Sequence, residues 1–174
     1  MESTFGFRAR FNPDSRLFNK NLGGGSIFDL GCYPISFFML LAKNLEKISI
    51  KSKILSYAKS GVDNDSKLSL DYDNKFIGNL HVSIKSNLDN CCIIKGSNGY
   101  IKINNPWLPN NTSDIEVLSN EHFYLKSTKS KLSIFANQIQ NVSDSFINPE
   151  KKMNLFDITK SMINMNLISN WLKK

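Results

Sequence analysis

The segment Leu22-Gly-Gly-Gly-Ser-Ile-Phe-Asp-Leu-Gly-Cys-Tyr-Pro34 is the most informative part of this sequence. Its three consecutive glycines favour a tight turn that side chains would obstruct. Ser26 is predicted to cap a helix, which would place Asp29 and Tyr33 four residues apart on one helical face. A carboxylate and a phenol held together beside such a turn can position and protonate a hydroxyl or carbonyl group.

The residues around this segment predict one strand and one long helix. Glu2–Phe11 alternates weakly between apolar and polar residues, which is typical of a strand. Ser26–Lys43 has a strongly apolar face and predicts a helix. Pro34 lies inside that helix and removes one backbone donor, so we expect a kink or a restart there.

From Leu45 to about Lys126 the hydrophobic period changes to two, which predicts short antiparallel strands joined by tight turns. Two amphipathic helices are predicted after them, at Phe135–Phe146 and Phe156–Leu172. The predicted fold class is α+β, a single domain over residues 1–174 with one largely antiparallel, open-faced β-sheet and α-helices packed on one face. The strands are predicted at 48–54, 67–72, 75–85, 91–95, 100–103, 114–118 and 123–126.

The composition is that of an ordinary globular domain, with 41% hydrophobic and 21% charged residues in a chain of 174. The net charge is +7, but the lysines are scattered along the predicted strands, which indicates a solvated basic surface and no nucleic-acid partner. The longest apolar run, roughly Ile35–Ala42, is shorter than the about 20 residues of a membrane helix. No signal peptide is evident, so we expect a cytoplasmic protein without a membrane segment.

The cysteines and histidines predict no metal site. Cys32, Cys91 and Cys92 are odd in number and lack the spacing of zinc ligands, and the adjacent pair would point to opposite faces of a strand. Reduced thiols in the cytoplasm are therefore expected. His81 and His122 have no partner at the spacing of a catalytic triad or a metal site, and both are predicted to be surface histidines.

Several motifs follow one another in the order of a known domain. Phe5-Gly6-Phe7-Arg8 precedes Arg16-Leu17-Phe18 and the glycine turn, Ile93–Ile101 reads as a hairpin of the form I-x-G-T/S-x-G-x-I, and Ser161-Met162 lies in the last predicted helix. Together they resemble the substrate and oligomerisation domain of the glucose–fructose oxidoreductase/inositol dehydrogenase family (Gfo/Idh/MocA). The tyrosine in the glycine-turn motif is similar to the branch of dihydrodiol and xylose dehydrogenases.

The resemblance implies roles for three residues. Tyr33 would be the general acid/base that exchanges a proton with a secondary alcohol or ketone, and Asp29 would bind the substrate hydroxyl or orient the ring. Arg16 would contact substrate or cofactor. An unperturbed phenol titrates near pH 10, so Tyr33 needs a nearby cation to act near neutrality. In the family that cation is the lysine of a Glu-Lys-Pro motif in a separate nucleotide-binding domain.

The cofactor implied by the resemblance is NAD or NADP, but the sequence has neither Glu-Lys-Pro nor a Gly-x-Gly-x-x-Gly turn after a strand. Glu150-Lys151-Lys152 is only a superficial echo of the first motif. No Rossmann domain is therefore expected in this chain, which by itself should neither bind dinucleotide tightly nor turn over. We expect a fragment or truncated gene product whose nucleotide-binding domain lies elsewhere.

Structural interpretations of the same residues stay open. Asp29 lies at capping-box spacing after Ser26 and could serve only the helix start. Tyr33 could be a core residue with its hydroxyl satisfied, and Arg16 an exposed residue that anchors the turn. Trp107 is predicted to serve ordinary packing.

At the level of function, the main hypothesis is the substrate-binding part of an oxidoreductase that acts on a sugar, polyol or related cyclic alcohol. The alternative is a non-catalytic module that forms homo-oligomers through the open sheet face. A third hypothesis is electrostatic binding of nucleic acid, which would weaken steeply with salt.

Overall fold

The computed structural model describes residues 1–148, 150 and 157–173 and contains eight strands and four α-helices within them. The α+β fold class is confirmed. The strands are β1 Glu2–Gly6, β2 Ile48–Tyr57, β3 Asp63–Tyr72, β4 Phe76–Ser83, β5 Cys91–Gly96, β6 Gly99–Asn104, β7 Thr112–Ser119 and β8 His122–Lys129. The helices are α1 Ser26–Leu30, α2 Cys32–Leu41, α3 Ile134–Ile147 and α4 Ile158–Leu172.

All eight strands form one sheet in the order β2-β3-β4-β1-β5-β6-β7-β8. Among the described pairs, only β1 and β4 run parallel, so the sheet is largely antiparallel as predicted. The first strand ends at Gly6 and not at Phe11, because only Glu2–Gly6 pairs with β4. The next residues continue along the end of β4 through single hydrogen bonds, from Phe7 N to Ser83 O and from Ala9 N to Ile84 O.

Alternation along the strands separates a helix-covered face from an open face. In β3, Leu68, Leu70 and Tyr72 are buried, whereas Lys67 and its alternate neighbours are not. Lys53 departs from the predicted pattern of solvent-facing lysines. Its register partner is Leu68, and its ammonium group donates to the carbonyl oxygens of Asn170, at 2.7 Å, and of Lys173 near the end of α4.

The predicted helix over Ser26–Lys43 is two helices that meet at Gly31, so the restart is confirmed. Pro34 lies in the first turn of α2. Backbone N–H groups in the first turn have no acceptor within the helix, so the N–H that proline lacks costs no hydrogen bond there. Gly31 also makes room for the neighbouring helix, because a Cβ placed there would lie 3.2 Å from the Trp171 ring.

Helices α1, α2 and α4 cover one side of β1–β4 and enclose the core. Gly78 in β4 allows the ring of Phe38 from α2 to lie directly on the strand, since a Cβ at that glycine would be 2.3 Å from Phe38 Cδ2. The indole of Trp171 is fully buried and donates to the carbonyl oxygen of Lys67 at 3.1 Å. The helix predicted from Phe156 is observed from Ile158, and Phe156 lies outside the described residues.

Helix α3 matches the predicted range but has no buried residue, so it is not packed into the core as the others are. One 18-residue window inside Lys20–Leu41 is apolar enough to cross a membrane, with a mean hydropathy of 1.3. More than half of that window, 56%, is buried inside the fold, as in the core helix of a soluble protein.

Candidate functional site

The glycine turn is closed by backbone hydrogen bonds. The amides of Gly24 and Gly25 donate to Asn19 O at 3.0 Å and to Leu17 O at 2.9 Å. Gly25 has a φ of +121°, which an L-residue rarely adopts. A Cβ at Gly25 would also lie 2.2 Å from Asp63 Oδ1, so this position requires glycine for two independent reasons.

The start of α1 is capped from another element, and the predicted Ser26 cap is wrong. Gly25 is the N-cap residue and offers no side-chain acceptor. Asp63 at the start of β3 supplies it: its Oδ2 accepts from the Ile27 amide at 2.8 Å and from the Ser26 hydroxyl at 2.6 Å. Ser66 donates to the same oxygen at 3.1 Å, so the buried carboxylate accepts three hydrogen bonds.

Asp29 does not form the capping box that its spacing allows. Its carboxylate pairs instead with Arg16, whose Nη1 donates to Oδ1 at 2.7 Å. The Asp29 side chain is 16% exposed and that of Arg16 is 65% exposed. The turn between them therefore brings two of the predicted site residues into direct contact through a charge-assisted hydrogen bond.

Tyr33 lies at the start of α2 with 41% of its surface exposed. Its ring meets the ring of Phe5 edge-on, with centroids 5.2 Å apart, and Phe5 in turn stacks on Trp107 at 5.8 Å. The Tyr33 hydroxyl makes no hydrogen bond within the described part of the chain, so the ring is fixed by packing while the hydroxyl is free to meet a ligand. The predicted packing role of Trp107 is confirmed, since its indole is buried and donates to Thr4 O at 2.7 Å.

The surroundings of Tyr33 hold its phenol in the neutral form. Partial burial raises its pKa, and the negative charges of the Cys32 thiolate and the Asp29 carboxylate raise the pKa further. The same surroundings raise the pKa of Cys32, mainly by burial. The phenol is thus a proton donor at neutral pH, and it acts as a base there only if a cation approaches it.

The structure brings Arg16 and Asp29 into direct contact, and the Asp29 carboxylate lies close enough to Tyr33 to raise the pKa of its phenol. Sequence reasoning missed Asp63, which lies 37 positions from Ser26 and carries no local signal. His81 lies on the open face of the sheet, the polar face of its strand as predicted, and its Nε2 lies 3.1 Å from Asp65 Oδ1, a contact that the sequence did not indicate. His122 is exposed, as predicted.

The described part of the chain contains neither a cluster of metal-ligating side chains nor the strand, glycine turn and helix of a Rossmann-type pyrophosphate site. No group of three or more His, Cys, Asp or Glu side chains converges among the described residues. A dinucleotide site needs a strand that leads through a glycine turn directly into a helix. In the one parallel pair that is described, β4 is followed by β5, and a long segment with turns and a short 3-10 helix, Lys20–Leu22, separates β1 from α1. The three cysteines are free, as predicted.

Sequence comparison connects this arrangement to known proteins. The family model of the GFO/IDH/MocA C-terminal domain matches residues 1–102. The trans-1,2-dihydrobenzene-1,2-diol dehydrogenase of Mus musculus is 34% identical over 107 residues, which are 60% of this chain and 31% of the mouse protein. The Xenopus tropicalis protein of the same name is 33% identical over 95 residues, 54% of this chain and 28% of its own length. The chain thus spans less than a third of these relatives.

Solved structures share the fold over nearly the whole chain. A 3-ketoreductase from Actinomadura kijaniata, solved with NADP and TDP-benzene, superposes with a TM-score of 0.83 at 17% identity and covers 97% of this chain and 51% of the ketoreductase. An aldose–aldose oxidoreductase from Caulobacter crescentus, complexed with glycerol, superposes with a TM-score of 0.82 at 15% identity and covers 98% of this chain and 51% of the oxidoreductase chain. At such identities the likeness establishes the fold alone.

Proposed function

The chain belongs to the GFO/IDH/MocA family, whose C-terminal domain it contains, and we propose on this basis that it is the substrate-binding part of an NAD(P)-dependent oxidoreductase. Its substrate would be a secondary alcohol or ketone of a sugar, a polyol or a cyclic diol. The observation that carries the proposal is a half-exposed phenol with no described hydrogen-bond partner, beside a carboxylate that is already paired with arginine.

Tyr33 is the proton donor and acceptor in this proposal. Its neutral phenol can donate to a carbonyl oxygen that becomes an alcohol, and the reverse reaction returns the proton to the phenolate. The raised pKa opposes that return, so a cation beside Tyr33 is required in the complete enzyme. Among the described residues, the groups that act on the Tyr33 phenol are the Cys32 thiol and the Asp29 carboxylate. Arg16 is the cation paired with this carboxylate, and its guanidinium is bound to Asp29.

Asp29 orients the substrate by accepting a hydrogen bond from a hydroxyl group next to the reacting carbon. The Arg16 guanidinium occupies Oδ1 and holds the carboxylate in place, which reduces the entropy cost of binding. The nicotinamide, when bound, supplies or removes the hydride. Because the described residues do not fit the pyrophosphate, another segment or another chain has to bind the cofactor.

Two findings about related proteins support the class of substrate. The curated relatives are named as dehydrogenases of a cyclic diol, and one neighbour in structure was solved as a 3-ketoreductase with NADP. Both names describe redox chemistry at a secondary alcohol or ketone. This chain spans less than a third of the curated relatives and about half of the ketoreductase, so it is part of our proposal that their chemistry also applies to it.

The test is to join residues 1–174 to the nucleotide-binding domain of a dihydrodiol dehydrogenase and to follow NAD(P)H absorbance with a cyclic diol and with aldoses. We expect turnover, and we expect Tyr33→Phe to lower kcat by about a hundredfold or more because the proton has no carrier. Tyr124→Phe is the matched control, since Tyr124 is a similarly exposed tyrosine on β8. A Tyr33→Phe fusion that retains the full rate would falsify the assignment of Tyr33.

A non-catalytic oligomerisation module is the second candidate, and the exposed apolar surface favours it. Phe123, Tyr124 and Leu125 on β8 are at least half exposed, as are several apolar side chains of α3. Monomeric proteins rarely leave such groups uncovered together. Sedimentation equilibrium separates the two ideas: a soluble, stable homo-oligomer supports the module, whereas aggregation or degradation supports a fragment of a longer enzyme.

A further inference from the structure

Helix α4 carries one polar residue in the stripe of side chains that it buries. This stripe consists of Asn164, Leu167, Ile168 and Trp171, at spacings of three and four that place them on one helical face. Asn164 is 4% exposed, and its Oδ1 has no hydrogen-bond donor among the described residues. Burying an amide oxygen without a donor opposes folding. The packing of the core would therefore favour an apolar residue here, and the asparagine requires another explanation.

The amide group of Asn164 binds the first turn of the neighbouring helix α2. Its Nδ2 donates to the carbonyl oxygen of Cys32 at 3.0 Å and to the hydroxyl oxygen of Ser36 at 2.8 Å. The Ser36 hydroxyl in turn donates to the same carbonyl oxygen at 2.6 Å. Two side chains thus hold one backbone carbonyl of α2, and one of them belongs to a helix more than a hundred residues away in sequence.

The carbonyl that Asn164 binds belongs to the peptide unit between Cys32 and Tyr33. Because a peptide unit is planar, fixing its oxygen also fixes the amide nitrogen of Tyr33, to which the Cα of Tyr33 is bonded. The hydrogen bond from α4 therefore acts on the backbone that carries the phenol of the candidate site.

Two features of the first turn of α2 make a contact from outside it important. The helix begins without a side-chain cap, since its N-cap residue is Gly31. Tyr33 also precedes Pro34, and a proline ring disfavours a helical backbone in the residue before it. Tyr33 nevertheless lies inside α2. Its helical backbone is thus opposed by its neighbour in sequence and supported by the hydrogen bond from Asn164.

We propose that Asn164 is a positioning residue for Tyr33: its hydrogen bond to the Cys32 carbonyl fixes the first turn of α2 and so directs the phenol hydroxyl at the substrate. This inference rests on the proposed function, in which the phenol exchanges the proton. A reacting group that is misplaced by about 1 Å can cost about a hundredfold in rate. The effect falls on kcat and not on KM, because Asp29, which orients the substrate, is held by Arg16 and not by α4.

The first test uses the 174-residue chain without a cofactor. NMR cross-peaks between the ring protons of Tyr33 and Phe5 report the orientation of the phenol, since the ring centroids are 5.2 Å apart. Asn164→Leu keeps a side chain in the core but donates no hydrogen bond, and we expect the cross-peaks to be lost. Asn166→Leu is the matched control, because Asn166 is exposed on the same helix, and it should retain them. Cross-peaks of full intensity in Asn164→Leu would overturn the proposal.

The second test uses the fusion with a nucleotide-binding domain. We expect Asn164→Leu to lower kcat by about ten- to a hundredfold while KM changes by less than about twofold. In the Tyr33→Phe background the same change should lower kcat by less than about twofold, because a hydroxyl that is absent cannot be misplaced. An equal loss of kcat in both backgrounds would show a general structural role and overturn the proposal.

The two tests distinguish a failure of this inference from a failure of the proposed function. A fusion of the unaltered chain that does not turn over would contradict the proposed function, and the cross-peaks of the isolated chain then decide whether Asn164 directs the Tyr33 ring. An active fusion whose kcat is unchanged by Asn164→Leu would overturn the positioning role and leave the assignment of Tyr33 in place. Thermal unfolding checks that each variant is folded. If Asn164→Leu does not fold, Asn164→Ala removes the same donor without adding volume and is judged by the same outcomes.

Discussion

The carboxylate of Asp63 accepts the backbone amide of Ile27 at 2.8 Å, across 36 positions of sequence. The first residue of β3 thereby caps the helix that follows the glycine turn. Gly25 has no side chain to do so, and any Cβ there would collide with the same carboxylate. Gly25 and Asp63 together therefore determine where α1 begins: the glycine leaves room for the carboxylate, and the carboxylate caps the helix.

Asp63→Ala is expected to destabilise the domain by about 3 kcal/mol. The change leaves the Ile27 amide buried without an acceptor, and the Ser26 hydroxyl keeps only the longer contact to Ser66 Oγ at 3.3 Å. A buried donor without an acceptor costs about 1–3 kcal/mol. Urea unfolding followed by circular dichroism measures the difference. Asp89→Ala is the control, because Asp89 is exposed. A loss within about 0.5 kcal/mol of this control would contradict the capping role.

Gly78→Ala is expected to cost about 1–3 kcal/mol, because the new methyl group would overlap the Phe38 ring in a fully packed core. The double variant with Phe38→Leu should lose less than the sum of the two single changes, since the smaller side chain leaves room. Gly96→Ala serves as the control, for its nearest obstacle is 3.9 Å away. Strict additivity in the double-mutant cycle would argue against this contact.

The phenol of Tyr33 is expected to titrate above its ordinary pKa of about 10, and Asp29→Asn should lower that pKa by removing a negative charge. Carbon-13 NMR of labelled tyrosine measures the titration, with Tyr33→Phe to assign the signal. Asp14→Asn, in the exposed loop before the glycine turn, should leave the pKa unchanged. An unaltered Tyr33 titration in Asp29→Asn would show that Asp29 does not act on the phenol.

The same shift predicts how stability depends on pH. Folding favours the protonated phenol, so the contribution of Tyr33 is complete below about pH 10 and is lost as the pH rises through the raised value. Tyr33→Phe should remove this part of the alkaline loss. Unfolding midpoints of both proteins between about pH 9 and 12 test it; identical alkaline profiles would show that the folded and unfolded pKa values do not differ.

Lys53→Met is expected to destabilise the end of α4 by about 1 kcal/mol, because the ammonium group donates to carbonyl oxygens that have no partner within the helix. Hydrogen exchange should accelerate in the last turn of α4 and not in α2. Lys51→Met, an exposed change on the same strand, is the control. Equal protection of the last turn in both variants would rule out the contact.

The sequence predicted those features that depend on local periodicity. The alternation of Leu68 and Leu70 with polar residues identified β3, and the Gly96–Gly99 turn was found in its hairpin. Two features depended on distant contacts and were missed. The end of β1 at Gly6 depends on pairing with β4, and Lys53 contacts carbonyl oxygens at the end of α4. The helix restart was predicted from Pro34 and is observed at Gly31.

In the candidate site, too, the features that depend on local spacing were predicted and those that depend on distant contacts were not. The spacing placed Asp29 and Tyr33 in one segment, but nothing local distinguished a capping box from the Arg16 pair, because both use the same carboxylate. The edge-on contact between Tyr33 and Phe5 joins a helix to the first strand, and no pattern in the sequence indicates it. The cap from Asp63 is equally remote, so the sequence had offered the wrong residue, Ser26.

The central position of β1 has a consequence for how the chain folds. Its residues pair with positions 79–83 of β4 on one side and 92–93 of β5 on the other. It therefore joins two β-meanders, β2–β4 and β5–β8, that do not pair with each other. Each meander can form early from neighbouring hairpins, whereas β1 can pair on both sides only after more than ninety residues have been synthesised. Such distant pairing slows folding and leaves two sheet edges open meanwhile. Deleting the first six residues should therefore yield aggregation and not merely a shorter domain.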